Sequence, residues 1–253
     1  MEEPKEESKN IVIYGRHPIA EAIKTGKTFE KILFQQGLKG EMEIEIRNLC
    51  KQFQIPLSVV PREKLDRMAS GANHQGVIGY VALLTYYNLK EVLPQIFDNG
   101  EMPLLLLLDG VTDVRNFGAI ARSAEVLGVH ALVVPQKGGA LINAEALKAS
   151  AGALNRIPVC REKTMSGVLD FLGSSGVRII SSDLKATKAI FDVDFTLPTA
   201  ILIGSEDEGV NMNFLRRSDE TFVIPQAGET DSLNVSVATG IILYEVVRQR
   251  LSK

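Results

Sequence analysis

Three short stretches in the C-terminal half combine small residues with polar side chains that could take part in chemistry. They are Asp113–Glu125, Ile203–Val210 and Ile224–Gly240. Each lies beside an apolar run that is typical of a strand or a helix. This is the layout of a ligand site formed by loops at the ends of a parallel sheet. The polar residues in these stretches are therefore the first candidates for a binding or catalytic site.

Four of these polar residues have a structural explanation beside the functional one. Asn116 could cap a helix and Arg122 could lie on its solvated face, or both could lie at the carboxyl edge of the preceding LLLLLD strand, where ligands bind. Ser232 could cap the last helix, with Asn234 in its first turn. The same helix end could instead offer free N–H groups and a positive dipole end to a ligand. The residues alone leave both questions open.

An acidic loop, Gly204–Gly209, follows the apolar run AILI. Glycines at its two ends would let the main chain approach a ligand closely. Its three successive acids, with Glu206 first, are more typical of an exposed turn than of a cation site. We therefore predict no metal at this loop.

Other kinds of site find little support in the sequence. No G-x-G-x-x-G follows a strand and no G-x-x-x-x-G-K is present, so the oxidoreductase and P-loop patterns are missing. The histidines at 17, 74 and 130 are scattered, which disfavours a hydrolase. Cys50 and Cys160 have no Cys or His at metal-ligand spacing, so we expect neither a disulfide nor a zinc site.

The bulk composition is that of an ordinary globular protein. Of 253 residues, 45% are apolar and 23% are charged, and no apolar run is long enough to span a bilayer. Residues 1–9 are acidic and polar without a signal-peptide core, so we expect a disordered tail and a cytoplasmic location. The net charge is −3, yet residues 10–84 carry ten basic against seven acidic side chains. A mildly basic front domain could hold phosphates.

Strand and helix patterns divide the chain into two domains. Residues 10–84 predict a small α/β domain, 85–102 a linker with a helical connector, and 103–253 a doubly wound parallel sheet. The last helix, from Leu233 to about Leu251, is apolar on nearly every side. It therefore needs cover from the sheet and from a partner subunit, or burial within one subunit. On this basis Ile242→Glu should disturb either the core or the interface.

Together, the three stretches resemble the signature motifs of the SpoU-type RNA ribose 2′-O-methyltransferases of the SPOUT superfamily. N-x-G-x-I-x-R-[ST]-A fits Asn116–Ala124, G-[SA]-E-x-x-G fits Gly204–Gly209, and I-P-x-x-G-x-x-x-S-L-N-V-S-V-A fits Ile224–Ala238. KASAGAL at Lys148–Leu154 also resembles a family segment. The front domain, with YGRHPIAEAI and NHQGVIGYV, is similar to the ribosomal-protein-L30e-like RNA-binding domain of bacterial 23S rRNA guanosine 2′-O-methyltransferases.

The resemblance implies a fold, a cofactor and a set of site residues. It implies a trefoil knot in the C-terminal domain, a homodimer, and S-adenosylmethionine bound by Gly204, Ile224 and Leu233. We expect this binding to need no metal, because the motifs offer mainly main-chain groups and the histidines are scattered. The catalytic residues that it implies are Asn116, Arg122, Glu206, Ser232 and Asn234. It gives Arg122 the role of base, but the pKa of a free arginine, above about 12, makes its deprotonation costly. Arg122 could instead hold the target phosphate and stabilise the alkoxide.

The function that follows is methylation of the 2′-oxygen of a guanosine ribose in 23S rRNA. A methyltransferase that acts on tRNA or confers antibiotic resistance is the nearest alternative, and the L30e-like domain favours rRNA. A noncatalytic RNA-binding protein of the same fold is a second alternative, which the intact motif residues disfavour.

Overall fold

The structure is a computed structural model that describes residues 11–140, 142–228 and 232–252. The tail expected at residues 1–9 lies outside this range. The chain forms two compact units. One comprises the described residues up to Thr85 with Ile142–Ala144, and the other begins at Tyr86 and contains the rest. No helix in the described part of the chain is long and apolar enough to cross a membrane.

The first unit is a four-stranded sheet with helices on both faces. The strands lie in the order β1-β4-β2-β3, with β4 antiparallel to β1 and β2, and β3 parallel to β2. Helices α1 and α2 cover one face, and α3 packs on part of the other. The elements are β1 (Val12–Tyr14), α1 (Arg16–Lys24), β2 (Phe29–Gln35), α2 (Glu41–Gln52), β3 (Leu57–Val60), α3 (Arg62–Ala69) and β4 (Val77–Val81).

The second unit is a parallel sheet of seven strands in the order β11-β9-β10-β6-β7-β8-β5. Its strands are β5 (Tyr86–Tyr87), β6 (Leu104–Leu108), β7 (Ala131–Pro135), β8 (Val159–Glu162), β9 (Arg178–Ser182), β10 (Thr199–Ile203) and β11 (Glu220–Phe222). Its helices are α4 (Leu89–Asp98), α5 (Val114–Val126), α6 (Ala144–Ala149), α7 (Met165–Ser174), α8 (Met212–Leu215) and α9 (Val235–Leu251). The mixed α/β class, with a small first sheet and a parallel second sheet, is confirmed.

The central strands are buried on both faces, as their continuous apolar sequence predicted. Every residue of β6 and β10 is buried. The segment 85–102 contains β5 and α4, and buried residues of α4 belong to the core of the second unit. Cys50 and Cys160 are also buried, which raises the pKa of each thiol to about 12 and makes both chemically inert.

The sequence pattern predicts one helix over residues 144–154, but in the structure this helix ends early. It stops at Ala149, and a separate 3-10 turn covers Ala153–Asn155. Ala151 and Gly152 between them have φ of +49° and +85°, values that break the helical hydrogen-bond pattern. Helix α8 has four residues and a 3-10 turn at Ile190–Asp192 has three, so both are too short to show a helical periodicity in the sequence.

The order in which the chain adds strands to the sheet reverses between β6 and β10, which are parallel neighbours. From β6 the chain continues to β7 on one side, whereas from β10 it continues to β11 beyond β9 on the other. In open α/β sheets, the crevice at the carboxyl ends of two such strands is where ligands bind. The first two predicted motifs follow directly from these two strands.

Helix α9 is buried on one side only. Val235, Thr239, Ile242, Leu243 and Val246 are buried, and α9 packs against α5. Exposed apolar residues line the other side at helical spacing, namely Leu233 (just before α9), Val237, Ile241 and Tyr244. This set is called the α9 stripe below. Burial of the whole helix within one subunit was thus wrong, and Ile242 belongs to the core.

The far end of α9 is fixed at the amino edge of the sheet. The Arg250 guanidinium donates hydrogen bonds to the carbonyl oxygens of Met102, Pro103, Phe195 and Leu197 at 2.8–3.1 Å. Gln249 adds bonds to Phe195 and Val193. These contacts set the position of α9 along its axis, and so the position of its first residues at the carboxyl edge.

Candidate active site

Three segments of the chain converge at the crevice between β6 and β10. They are the first turn of α5, the loop that follows β10, and the start of α9. Each contributes one polar side chain, Asn116, Glu206 and Asn234 respectively, although the three are far apart in the sequence. The structure thus brings together three of the five predicted catalytic residues.

Glu206 is the hub of this polar triad. Its Oε1 accepts hydrogen bonds from Asn116 Nδ2 at 3.0 Å, from Asn234 Nδ2 at 2.5 Å and from the main-chain N–H of Val235 at 3.2 Å. Asn234 Nδ2 also lies 3.1 Å from Asn116 Oδ1. A carboxylate that accepts hydrogen bonds from several N–H donors is held firmly in one orientation.

The start of α9 determines how the Asn234 amide is oriented. Its Oδ1 caps the helix, accepting from Ser236 N at 3.0 Å and Val237 N at 3.4 Å. The oxygen must face these N–H groups, so the NH₂ group must face Glu206 and Asn116. One of the two explanations left open for Ser232 made it the cap, with Asn234 in the first turn. That was wrong, because Asn234 is itself the N-cap residue.

A similar correction applies to α5. Asp113 is its N-cap and accepts from Arg115 N at 2.9 Å and Asn116 N at 2.8 Å, so Asn116 lies in the first turn instead of capping it. This bond fixes the main chain at Asn116 and hence the direction of its amide. An acid three residues before Asn116 is the sequence signal that would have revealed this cap. Val114 is the first helical residue.

Counting donors and acceptors shows which groups of the triad stay available. Both Nδ2 hydrogens of Asn234 are used, whereas Asn116 Nδ2 has one hydrogen left over. Within the described part of the chain, Glu206 Oε2 has no hydrogen-bond partner. The triad therefore offers a ligand one N–H donor and one carboxylate oxygen.

The loop that carries Glu206 closes on itself. Ser205 and Gly209 exchange two main-chain hydrogen bonds, Glu208 N donates to Ser205 Oγ at 3.1 Å, and Gly209 has a φ of +68°. A Cβ on Gly204 would lie 1.9 Å from the carbonyl carbon of Gly209. Loop closure by itself therefore explains both glycines, whatever their role in cofactor binding.

Asp109, which the sequence analysis missed, holds the end of this loop. It follows β6, and its Oδ2 accepts from Asn211 N at 3.0 Å. Burial raises the pKa of the Asp109 carboxyl, and the bond from Asn211 lowers it to a smaller extent.

Gly118 in the first motif has a packing role, since a Cβ there would lie 2.5 Å from Ala146 O of α6.

Arg122 and Ser232 lie outside the triad. Arg122 is six residues beyond Asn116 on α5, which places it about 120° around the helix and about 9 Å further along it. It is exposed and makes no hydrogen bond or ion pair with any described residue. Ser232 is also exposed. A single subunit therefore does not assemble all five predicted catalytic residues.

The third motif supplies main-chain groups. Ile224 is half-buried and Leu233 is 38% exposed, while residues 229–231 lie outside the described range. The main-chain groups of residues 224–228 form no hydrogen bonds to other described residues. No group of three His, Cys, Asp or Glu side chains suited to a metal occurs where the structure is described.

Comparison with known proteins agrees with this architecture. Residues 103–244 match the SpoU rRNA methylase family, and residues 12–87 match a domain described as the substrate-binding part of RNA 2′-O ribose methyltransferases. A Bacillus subtilis protein, YacO, whose name assigns it to the TrmH family of tRNA/rRNA methyltransferases, is 32% identical over 94% of this chain and 95% of its own. A Staphylococcus saprophyticus protein assigned to the same family is 34% identical over 96% and 97%.

Solved structures show the same relationship. The SpoU methyltransferase AviRb from Streptomyces viridochromogenes, in complex with AdoMet, has a TM-score of 0.62 and 27% identity, covering 96% of this chain and 92% of its own. The Aquifex (A. aeolicus) TrmH/SpoU tRNA-modifying enzyme has a TM-score of 0.55 and 32% identity over 65% of this chain and 85% of its own. Fold and site thus define an RNA methyltransferase. The chain belongs to the SpoU family, and the expected cofactor class, S-adenosylmethionine, is confirmed.

The residues present fit this cofactor. Adenine and a methionine moiety need main-chain donors and acceptors with apolar contacts, and the free main-chain groups at residues 224–228 with Ile224 and Leu233 provide both. The site thus has suitable groups for S-adenosylmethionine. The trefoil knot stays a prediction, because residues 229–231 lie within the segment that would form it.

Proposed function

We propose that this protein methylates the 2′-hydroxyl of a guanosine ribose in 23S rRNA, in the cytoplasm. The observation that carries the reaction type is the triad, which offers one carboxylate oxygen and one N–H donor at the ligand-binding edge of a methyltransferase sheet. A hydroxyl group that is to be methylated needs both a proton acceptor and a hydrogen-bond donor. The oxygen of Glu206 can accept its proton, and the N–H of Asn116 can stabilise the oxygen that attacks.

S-adenosylmethionine supplies the methyl group, which leaves its sulfonium sulfur as that sulfur becomes a neutral thioether. Gly204, Ile224 and Leu233 are the residues proposed to hold it. The new bond joins the methyl carbon to the ribose oxygen, and the hydroxyl proton passes to Glu206 Oε2. Asn116 and Asn234 keep the Glu206 carboxylate in place during transfer, so Asn234 is a positioning residue.

Arg122 and Ser232 need another explanation, because the fold keeps Arg122 away from the triad. We propose that two subunits associate through the α9 stripe and that Arg122 of each subunit completes the site of the other. This arrangement favours the second role considered for Arg122. A guanidinium that stays protonated can bind the phosphate beside the target ribose and stabilise negative charge on its oxygen. Ser232, next to the third motif, is proposed to contact the ribose.

The rRNA target rests on the first unit. Residues 12–87 match a substrate-binding domain, and residues 103–244 match a family described as rRNA methylases. The match to the tRNA-modifying enzyme covers only 65%. A tRNA target is the alternative that this match and the relatives' tRNA/rRNA names favour. Offering both RNA classes to the protein and comparing methyl transfer decides between them.

The dimer gives a prediction of its own. Ile241→Glu should convert a particle of twice the 27.7 kDa subunit mass into a single subunit, because the variant places a charge in an apolar interface. Light scattering at micromolar concentration measures this mass. Leu184→Glu is the matched control, since Leu184 is an exposed leucine (61%) outside the stripe. A wild-type protein of single-subunit mass would refute the proposed dimer.

A further inference from the structure

Among the described residues of the first unit, α3 is the only helix that covers one face of the sheet. Helices α1 and α2 pack on the opposite face. On the α3 face, Lys31, Tyr80 and Val12 lie side by side on three adjacent strands, and Tyr14 is two residues from Val12 on the same face. These side chains are partly exposed. Together with Lys64 of α3 they form what is called the tyrosine–lysine surface below.

Packing fixes the arrangement of this surface. The Lys31 ammonium lies 5.3 Å from the centre of the Tyr80 ring. Val12, Tyr14 and Tyr80 pack against the core beneath α3, so the two tyrosines are held firmly. Ordered aromatic rings lose little conformational entropy when a ligand stacks on them.

The charge of this surface favours an anionic ligand. Burial lowers the pKa of Lys31, the positive charge of Lys64 lowers it further, and Glu30 raises it to a smaller extent. Two lysines are thus held close enough to repel each other. A phosphate group would relieve that repulsion.

We propose that the tyrosine–lysine surface binds an unpaired segment of the RNA substrate, with bases against Tyr14 and Tyr80 and phosphates at Lys31 and Lys64. Aromatic side chains beside basic ones on a sheet are suited to single-stranded nucleic acid, because every unpaired base has a free ring face. In duplex RNA the base faces are stacked and unavailable. The inference rests on the proposed function in taking RNA as the partner, and it adds where, and in which form, the RNA is held.

The test is binding of a fluorescein-labelled unpaired RNA oligonucleotide to the full chain, followed by anisotropy at several salt concentrations. Lys31→Gln should reduce the slope of log affinity against log salt by about 0.7, the value for one lost phosphate contact on a single strand. Lys51→Gln is the matched control, because Lys51 is exposed on α2, on the other side of the sheet. It should leave both slope and affinity unchanged.

Tyrosine variants test the stacking directly. Tyr80→Leu should weaken binding about tenfold, whereas Tyr80→Phe, which keeps the ring, should bind as the wild type does. Phe53→Leu, at an exposed aromatic outside the surface, should have no effect. If Tyr80→Leu fails to fold, Lys31→Gln still decides.

Two results would overturn the inference. One is the same salt-dependence slope for Lys31→Gln and Lys51→Gln. The other is wild-type binding to a labelled duplex RNA oligonucleotide that is as tight as binding to the unpaired strand. Neither depends on methyl transfer. A protein that binds unpaired RNA through this surface but methylates a base would refute the proposed function and leave the inference intact.

Discussion

Arg122→Ala is expected to lower methyl transfer by roughly a hundredfold or more while leaving the fold unchanged. Arg122 is exposed and has no partner among the described residues, so the free energy of unfolding should change by at most about half a kcal/mol. The affinity for S-adenosylmethionine should stay close to the wild-type value, because Gly204, Ile224 and Leu233 are untouched. Single-turnover kinetics on rRNA fragments, with calorimetry for the cofactor, separate these effects.

Two further variants sharpen this test. Arg122→Lys keeps the positive charge but lacks the planar guanidinium, so it should also be slow if bidentate contact with a phosphate matters. Arg216→Ala removes another exposed arginine of the same unit and should leave the rate unchanged. Near-normal turnover by Arg122→Ala would return Arg122 to the role of a solvated helix residue.

Glu206→Gln is expected to cause a loss of similar or larger size for a different reason. The amide has about the same shape as the carboxylate but no negative charge to accept the hydroxyl proton. Its carbonyl oxygen can still accept from Asn116 Nδ2, Asn234 Nδ2 and Val235 N, so the triad should keep its shape while an NH₂ group replaces the free oxygen that would take the proton. We expect the rate to fall at least about a hundredfold, measured with saturating cofactor and RNA.

The control for Glu206 lies two residues away. Glu208 is in the same loop and is exposed, so Glu208→Gln removes the same charge without touching the triad. It should retain nearly full activity. If the two variants lose activity equally, the general charge of the loop matters and the triad does not.

Combining the two catalytic variants tests whether the sites are shared between subunits. Mixed dimers of Arg122→Ala and Glu206→Gln subunits contain one site with both residues intact. Random mixing should therefore restore roughly a quarter of wild-type activity, because half of the dimers are mixed and each has one complete site. No recovery in demonstrably mixed dimers would show that Arg122 acts within its own subunit, or not at all.

The sequence predicted those features that depend on local pattern. The buried run Leu104–Leu108 could only be a strand covered on both faces, and the alternation after it required a parallel sheet. The three motifs pointed to Asn116, Glu206 and Asn234, which meet because each follows a parallel strand (β6, β10 or β11) that ends at the same edge of the sheet.

Features that depend on tertiary contacts could not be predicted in this way. Which residue caps a helix depends on where the chain enters it. Here the caps are Asp113 and Asn234, whereas the sequence offered Asn116 and Ser232 as possible caps. The first motif contains both Asn116 and Arg122, but the two are six residues apart and lie on different sides of α5. Gly204 was attributed to ligand approach, whereas its contact with Gly209 became visible only in the folded loop.

The central claim is methylation of a guanosine 2′-oxygen in 23S rRNA, and mass spectrometry of digested RNA tests it most directly. The protein is incubated with methyl-labelled S-adenosylmethionine, a chelator, and rRNA or tRNA from cells that lack the gene, and the labelled nucleosides are identified. The account predicts labelled 2′-O-methylguanosine from 23S rRNA, formed without metal and absent with the Glu206→Gln variant. Label on a base, on another ribose, or on tRNA alone would contradict it.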